Sequence, residues 1–314
     1  MTPIQQMLLG IGAVKGQWWG TRNVQMGGYG WPNSPFMEYF TIASTGNASS
    51  FGGILTGNRK EAAGMSGEGR FAFGCGETTG GLSNSTIHYV TVATTSNAIN
   101  FGTAINNYAR TGVSNGIYGI ISGGPYSGSD EMEYITLATT GNGTDFGDIN
   151  QNAGAQGAEG SSGHDRALFY GGYGPLGGWG VKDYINYINP GVPGNTQDFG
   201  NLATGRYSPA GSGDETRGIC AGGEPNNSGG GSNHQKIDYV TMATTSNGTN
   251  FGSLTGSYRQ GTGNGTNNTR AMFAGGWSDQ TTTDYITVQT TGNATDFGDL
   301  ADGRFYNSGG SGDT

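Results

Sequence analysis

Charge is what this chain has least of. Only 14 Lys and Arg stand against 23 Asp and Glu in 314 residues, a formal net of −9, and no basic run occurs. That balance disfavours nucleic acid or an anionic membrane as partner, since both are held by clustered cations. Cysteine is nearly absent: Cys75 and Cys220 lie far apart with no CxxC, so neither a disulfide framework nor a zinc site is indicated. The three histidines, His88, His164 and His234, fall at unrelated positions. Catalysis needs a convergent titratable set, so no enzyme is expected and no catalytic, metal or cofactor residue is assigned. Long apolar runs are missing too. MLLGIGAV at 7–14 is too short to span a bilayer, and it lacks the basic flank and cleavage site of a secretory signal.

Glycine, by contrast, contributes 64 residues, about three times the usual share. It has no triplet period, which excludes collagen. Disorder is opposed by aromatic and β-branched residues recurring at fixed places. One line is written six times: EYFTIASTGNASSFGGI from Glu38, HYVTVATTSNAINFGTA from His88, EYITLATTGNGTDFGDI from Glu133, DYINYINPGVPGNTQDFGNL from Asp183, DYVTMATTSNGTNFGSL from Asp238 and DYITVQTTGNATDFGDL from Asp284. In five copies a tyrosine precedes a phenylalanine by twelve residues: Tyr39/Phe51, Tyr89/Phe101, Tyr134/Phe146, Tyr239/Phe251 and Tyr285/Phe297. The fourth reads as Tyr184/Phe199, with three residues inserted around Pro190 and Pro193.

The segment after each tyrosine alternates in period 2, the pattern of a strand with one buried face. A Gly-Asn or Ser-Asn pair then marks a hairpin, giving hairpins near 38–55, 88–105, 133–149, 183–202, 238–254 and 284–300. Upstream lies an apolar strand closing on glycine, as in RGICAGG (217–223) and RAMFAGG (270–276). Downstream lies a small-residue segment usually carrying an arginine: Arg59, Arg110, Arg206, Arg259 or Arg304. Four short strands per unit of about 50 residues make a propeller blade.

On these residues the chain resembles the kelch family of β-propellers across residues 21–314, with phenylalanine standing where kelch blades carry tryptophan. The expected fold is all-β, a six-bladed kelch-like β-propeller. Ser311-Gly312-Asp313 repeats Ser212-Gly213-Asp214, which leads into RGICAGG, while RNVQMGG stands alone at 22–28. The C-terminal strand should therefore join the N-terminal blade and close the ring. An arginine opens the second strand in five units (Arg22, Arg70, Arg166, Arg217, Arg270), and an acid precedes the tyrosine in five (Glu38, Glu133, Asp183, Asp238, Asp284). These are expected to pair across strands around one rim. The other reading of the acids is a ligand-binding ring.

The DFGD tetrads at 145–148 and 296–299 lack every other kinase element, and neighbouring copies replace their acids, which weakens calcium binding as a role. Sequons such as Asn47, Asn142, Asn247 and Asn293 coincide with hairpin turns that favour Asn anyway. Residues 1–20 belong to no unit. They form an N-terminal extension with Met7, Leu8, Leu9, Trp18 and Trp19 as candidate assembly contacts, or else a strap across the propeller. TPIQQMLLGIGA resembles the opening of structural proteins of tailed bacteriophages, and the repeat unit is similar to those of virion and tail-appendage proteins of phages of aquatic bacteria. The resemblance implies a non-enzymatic virion protein, a tail fibre or appendage or a capsid or neck decoration protein, present as a homo-oligomer in multiple copies per particle. Residues 1–20 would bind other virion proteins, and loops bearing Tyr126, Tyr173 and Trp179 could contact a host-surface glycan. The alternative is a secreted bacterial kelch-type carbohydrate-binding protein.

Overall fold

A computed structural model of the chain describes residues 16–29, 36–54, 59–78, 82–105, 111–123, 130–149, 159–174, 180–225, 235–257 and 259–314. Among these there is no helix, and six four-stranded antiparallel sheets form a six-bladed β-propeller. From the axis outwards, blade I runs Ser308–Gly312, Arg22–Met26, Phe36–Thr41 and Ser49–Gly53. Blade II is Ala63–Gly67, Arg70–Gly74, Thr86–Thr91 and Ile99–Thr103; blade III is Thr111–Ser114, Tyr118–Ser122, Glu131–Thr136 and Thr144–Asp148. Blade IV is Glu159–Ser161, Ala167–Tyr170, Tyr184–Ile188 and Gln197–Asn201; blade V is Ala210–Gly213, Arg217–Ala221, Lys236–Thr241 and Thr249–Ser253. Blade VI is Gly263–Thr266, Arg270–Ala274, Thr282–Thr287 and Thr295–Asp299. The ring closes as the sequence implies, with Ser308–Gly312 pairing antiparallel to Arg22–Met26, Gly312 opposite Arg22. Two faces follow from this order. The turn face carries the inner-to-second-strand connections and the Gly-Asn hairpins; the loop face carries the remaining connections.

The core lies between blades. Six apolar clusters occupy the six interfaces, and each takes the repeated phenylalanine of one blade into contact with the next. Phe51 packs on Phe71 and Val90 of blade II within its cluster, Phe101 on Ile121 and Ile135 of blade III, Phe146 on Phe169 and Ile188 of blade IV, and Phe251 on Phe273 and Ile286 of blade VI. Phe297 of blade VI meets Phe40 of blade I edge-on at 5.6 Å. Each phenylalanine also meets its own blade's tyrosine edge-on, as at 5.7 Å in Tyr89/Phe101 and Tyr285/Phe297, the arrangement that ring quadrupoles favour.

Blade IV corrects the alignment of the fourth copy. Asn186 stands opposite Asp198 with a bulge before it, as Glu38 stands opposite Ser50 and Asp284 opposite Asp296. The ring that packs on Phe199 is Tyr187, at 5.9 Å. The unit's tyrosine is thus Tyr187, not Tyr184, its spacing is the usual twelve, and nothing is inserted. "YINYI" offers two tyrosines three residues apart, and only strand register selects between them.

The outer strand of a propeller blade is an open edge, and open edges invite aggregation. Here each is covered by the next blade's hairpin. Gly46 N–H donates to Phe297 O at 2.8 Å, Ala48 N–H to Asp299 O at 2.8 Å, and Asp299 N–H to the Asn47 side-chain oxygen at 3.1 Å. Asn97, Asn142, Asn195, Asn247 and Asn293 do the same for Gly53, Thr103, Asp148, Asn201 and Ser253. The sequon asparagines are therefore inter-blade caps.

Candidate functional site

The residues that recur most regularly are not available to a ligand. Phe51, Phe101, Phe146, Phe199, Phe251 and Phe297 are all buried, at 2–3% exposed, so the repeated phenylalanines are core side chains between blades and not a functional site. Their tyrosine partners Tyr39, Tyr89, Tyr134, Tyr239 and Tyr285 are half-buried, each with an edge against its phenylalanine.

The arginines and acids do not pair as expected from sequence. Arg217 lies opposite Thr241, whereas Asp238 lies opposite Cys220, so the two charges sit at opposite ends of their strands. Each second-strand arginine instead stacks on its blade's tyrosine: Arg22 on Tyr39 at 4.3 Å, Arg70 on Tyr89 at 4.6 Å, Arg166 on Tyr187 at 4.7 Å, Arg217 on Tyr239 at 4.5 Å and Arg270 on Tyr285 at 4.6 Å. From there it donates to a carbonyl of the next blade, as Arg217 does to Val288 O at 3.1 Å and Arg270 to Ile42 O at 3.1 Å. In blade III, Tyr118 replaces arginine and packs edge-on against Tyr134 at 5.7 Å.

The acids belong to the other arginine series. Asp238 binds Arg206 at 2.5 Å, Asp284 approaches Arg259 at 3.3 Å, and Glu38 pairs with Arg304, all six side chains buried. Burial pushes the Asp238 and Asp284 carboxyls up despite the attraction of their arginines. The acids also clamp the chain leaving the previous blade: Thr255 N–H donates to Asp284 at 3.0 Å, Ala301 N–H to Glu38 at 3.0 Å and Ile105 N–H to Glu133 at 2.7 Å. These carboxylates are engaged by protein groups, so the ring of acids serves the fold. Asp183 lies outside this series, and Asn186 takes its place in blade IV. Blade II has His88, driven down to about 4 by burial and then by Arg59.

At the axis the inner strands pack glycine against glycine. A Cβ on Gly112 would sit 2.3 Å from Gly64 O, and one on Gly211 2.3 Å from Gly160 O. The channel is reduced to a cavity of about 30 Å³ lined by glycine, serine, threonine and Asn264. Trp18 closes its turn-face mouth, 4% exposed. It packs edge-on to Trp19 and to His164, both at 4.6 Å, and His164 approaches Glu215 at 3.4 Å. Gln17 donates to Asp313 at 2.7 Å and Gly20 N–H to Thr266 O at 3.2 Å. Trp18 is thus a plug of the propeller and not an exposed docking contact, while Trp19 is half-buried, its ring against Trp18. Met7, Leu8 and Leu9 lie outside the described residues. A second cavity of about 360 Å³, lined by His164, Asp165, Arg166, Glu215, Thr216 and Met242 among others, opens between blades IV and V on this face.

The loop-face mouth is closed differently. Glu61, Ser208, Gly261 and Tyr306, each two residues after a buried arginine, share a left-handed backbone, with φ of 55°, 48°, 62° and 57°. They join blade to blade through Glu61 N–H to Tyr306 O at 2.9 Å, Tyr306 N–H to Gly261 O at 2.6 Å and Gly261 N–H to Ser208 O at 2.9 Å. Around this collar stand aromatic rings outside the repeated tyrosine and phenylalanine positions. Phe305 contacts Tyr29 at 5.2 Å, Trp277 at 4.6 Å and Tyr306 at 4.9 Å. Tyr173, expected as a loop contact, packs on Tyr207 at 6.3 Å; Tyr126 and Trp179 lie outside the described residues. The sequence carries one signal for these rings. The residue after the closing glycine is Tyr29, Tyr173 or Trp277 in three units and Glu77 or Glu224 in two others, and this position varies where the rest of the unit repeats.

Among the described residues, no three of His, Cys, Asp or Glu gather as a metal site. No protein-family model matches the chain, and no curated protein matches it.

Proposed function

We propose that this protein is a non-enzymatic structural component of a tailed-bacteriophage virion, a kelch-like propeller attached through its N-terminal segment and displayed in multiple copies. The observation that carries the reading is polarity. Residues 16–20 are fastened at the axis of the turn face, where Gln17, Trp18 and Gly20 engage the ring, so the described chain enters the propeller on the face opposite the connections between second and third strands. A leader on one face and variable loops on the other suit a module that is anchored at one end and presents the other. The repeated polar groups are consumed in holding blades together, which leaves the unrepeated parts to carry function. The leader and repeat resemblances supply the virion assignment.

The test is incorporation. Deleting residues 2–15, which spares the Trp18 plug, should leave a folded propeller that no longer copurifies with phage particles at fixed copy number. Normal incorporation of the truncated chain overturns the reading. A protein found only as a free, sugar-binding species would favour the secreted carbohydrate-binding alternative.

A further inference from the structure

The most exposed large apolar side chains are few, and two of the aromatic ones, Tyr29 and Trp277, share one corner of the loop face. Tyr29 is 51% exposed, Phe36 57% and Trp277 40%. Tyr29 and Trp277 both rest on Phe305, which is buried. The two exposed rings thus stand one aromatic ring apart, on a support that belongs to the core. The other exposed large apolar side chains among the described residues, Ile99, Ile105 and Val192, are aliphatic and lie in other blades.

The surroundings are polar. Lys60 Nζ lies 5.4 Å from the Tyr29 ring centre and pairs with Glu77 at 3.2 Å. Ser278 and Asp279 follow Trp277 directly, both with left-handed backbone (φ 68° and 54°). Two consecutive non-glycine residues in that region are strained, and such strain persists where the surroundings hold it and clusters at ligand-binding sites. Here Gln280 N–H bonds to Gly276 O at 3.2 Å, and Arg304 N–H to Gln280 O at 3.2 Å. The turn is thereby tied to a buried arginine, and Trp277 is presented on a fixed backbone.

We propose that the Tyr29–Trp277 corner of the loop face binds a neutral oligosaccharide, with the two rings stacking on the C–H faces of sugar rings and the flanking Lys60, Glu77 and Asp279 bonding to their hydroxyls. The chemistry favours this occupant over a protein. A protein-binding patch has an apolar centre depleted in charge, whereas an ion pair lies beside Tyr29 and the turn that carries Trp277 also carries the exposed Asp279. Sugar recognition needs that mixture of flat apolar faces and directional polar groups. Charge sets the sugar class: the chain is net −9, and Glu77 and Asp279 border the rings, so a polyanionic glycan would be repelled. The proposal rests on the display reading only in requiring this face to be free.

The experiment titrates the full-length chain with cellohexaose, chitohexaose, maltohexaose and, as the polyanion, a hyaluronan hexasaccharide, read by calorimetry and tryptophan fluorescence. At least one neutral hexasaccharide should bind, Trp277→Ala and Tyr29→Ala should each weaken it tenfold or more, and Trp277→Phe should retain most of the affinity. Both alanine variants should melt within a few degrees of wild type, because both rings are substantially exposed. Absence of binding by all three neutral sugars, preference for hyaluronan, or binding unchanged in both alanine variants each overturns the proposal. If the variants still enter particles at normal copy number while no sugar binds, the site fails and the virion reading stands.

Discussion

At Gly298 a Cβ would lie 2.4 Å from Gly46 O, because the hairpin of blade I docks on the outer strand of blade VI at that point. Equivalent contacts occur at Gly252, 2.1 Å from Gly292 O, and Gly102, 2.1 Å from Gly141 O. The glycine of the repeated Phe-Gly pair is therefore set by the neighbouring blade's backbone, which cannot retreat without breaking the edge bonds. Gly298→Ala should destabilise the protein by about 2–3 kcal/mol, through overpacking and strain together. Gly141, in a hairpin turn, would bring its Cβ within 4 Å of nothing, so Gly141→Ala should stay within about 0.5 kcal/mol. Denaturant melts of the two variants compare them directly; equal losses would show that the close approach is not what selects glycine. The recurrence of Phe-Gly was legible in the sequence, but its cause was not, because the clashing atom lies on another unit.

Blade II differs from its neighbours at one element. Its third strand carries His88 where blades I, III, V and VI carry an acid, so buried Arg59 faces an imidazole. Arg59 is lowered by burial only to about 10 and stays charged at neutral pH. His88, lowered to about 4, stays neutral. The unfolded chain binds this proton below about pH 6.5, while the folded chain resists it until about pH 4. The contribution of His88 is therefore complete above pH 6.5 and is lost as pH falls towards 4, by roughly 3 kcal/mol. Denaturant unfolding of wild type and His88→Asn across pH 4–7 should show the wild-type stability falling more steeply on the acid side. Parallel curves would mean that His88 accepts its proton in the fold. The same elements explain why the expected Arg–carboxylate rim failed: both residue types were read in the right strands, but antiparallel register puts them at opposite ends, and the true partners come from the connection leaving the previous blade.

At the scale of the whole molecule, stability depends on the ring being closed. The chain's last strand supplies the inner strand of its first blade, and Arg304 carries the buried pair that clamps Glu38. Removing residues 301–314 should leave blade I without its inner strand and part blades VI and I, lowering the melting temperature by well over 10 °C or abolishing the cooperative transition. A truncated chain that melts as wild type would show that closure is dispensable. Blade number, strand order and this closure were all readable in the sequence, because a repeat states its own architecture and a partial unit at each end states how the ends meet. The Tyr187 register and the aromatic corner around Phe305 were not, and the strap reading of residues 1–20, which residues 16–20 follow, did not say that Trp18 would seat at the axis. The register is decided by strand pairing within blade IV, whereas the plug and the corner depend on residues from distant units sharing a neighbourhood: Tyr29, Trp277 and Phe305 are scattered through the sequence and meet only because the ring places blades VI and I side by side. Local periodicity determined the blades, and their packing around the axis decided which side chains were left facing solvent.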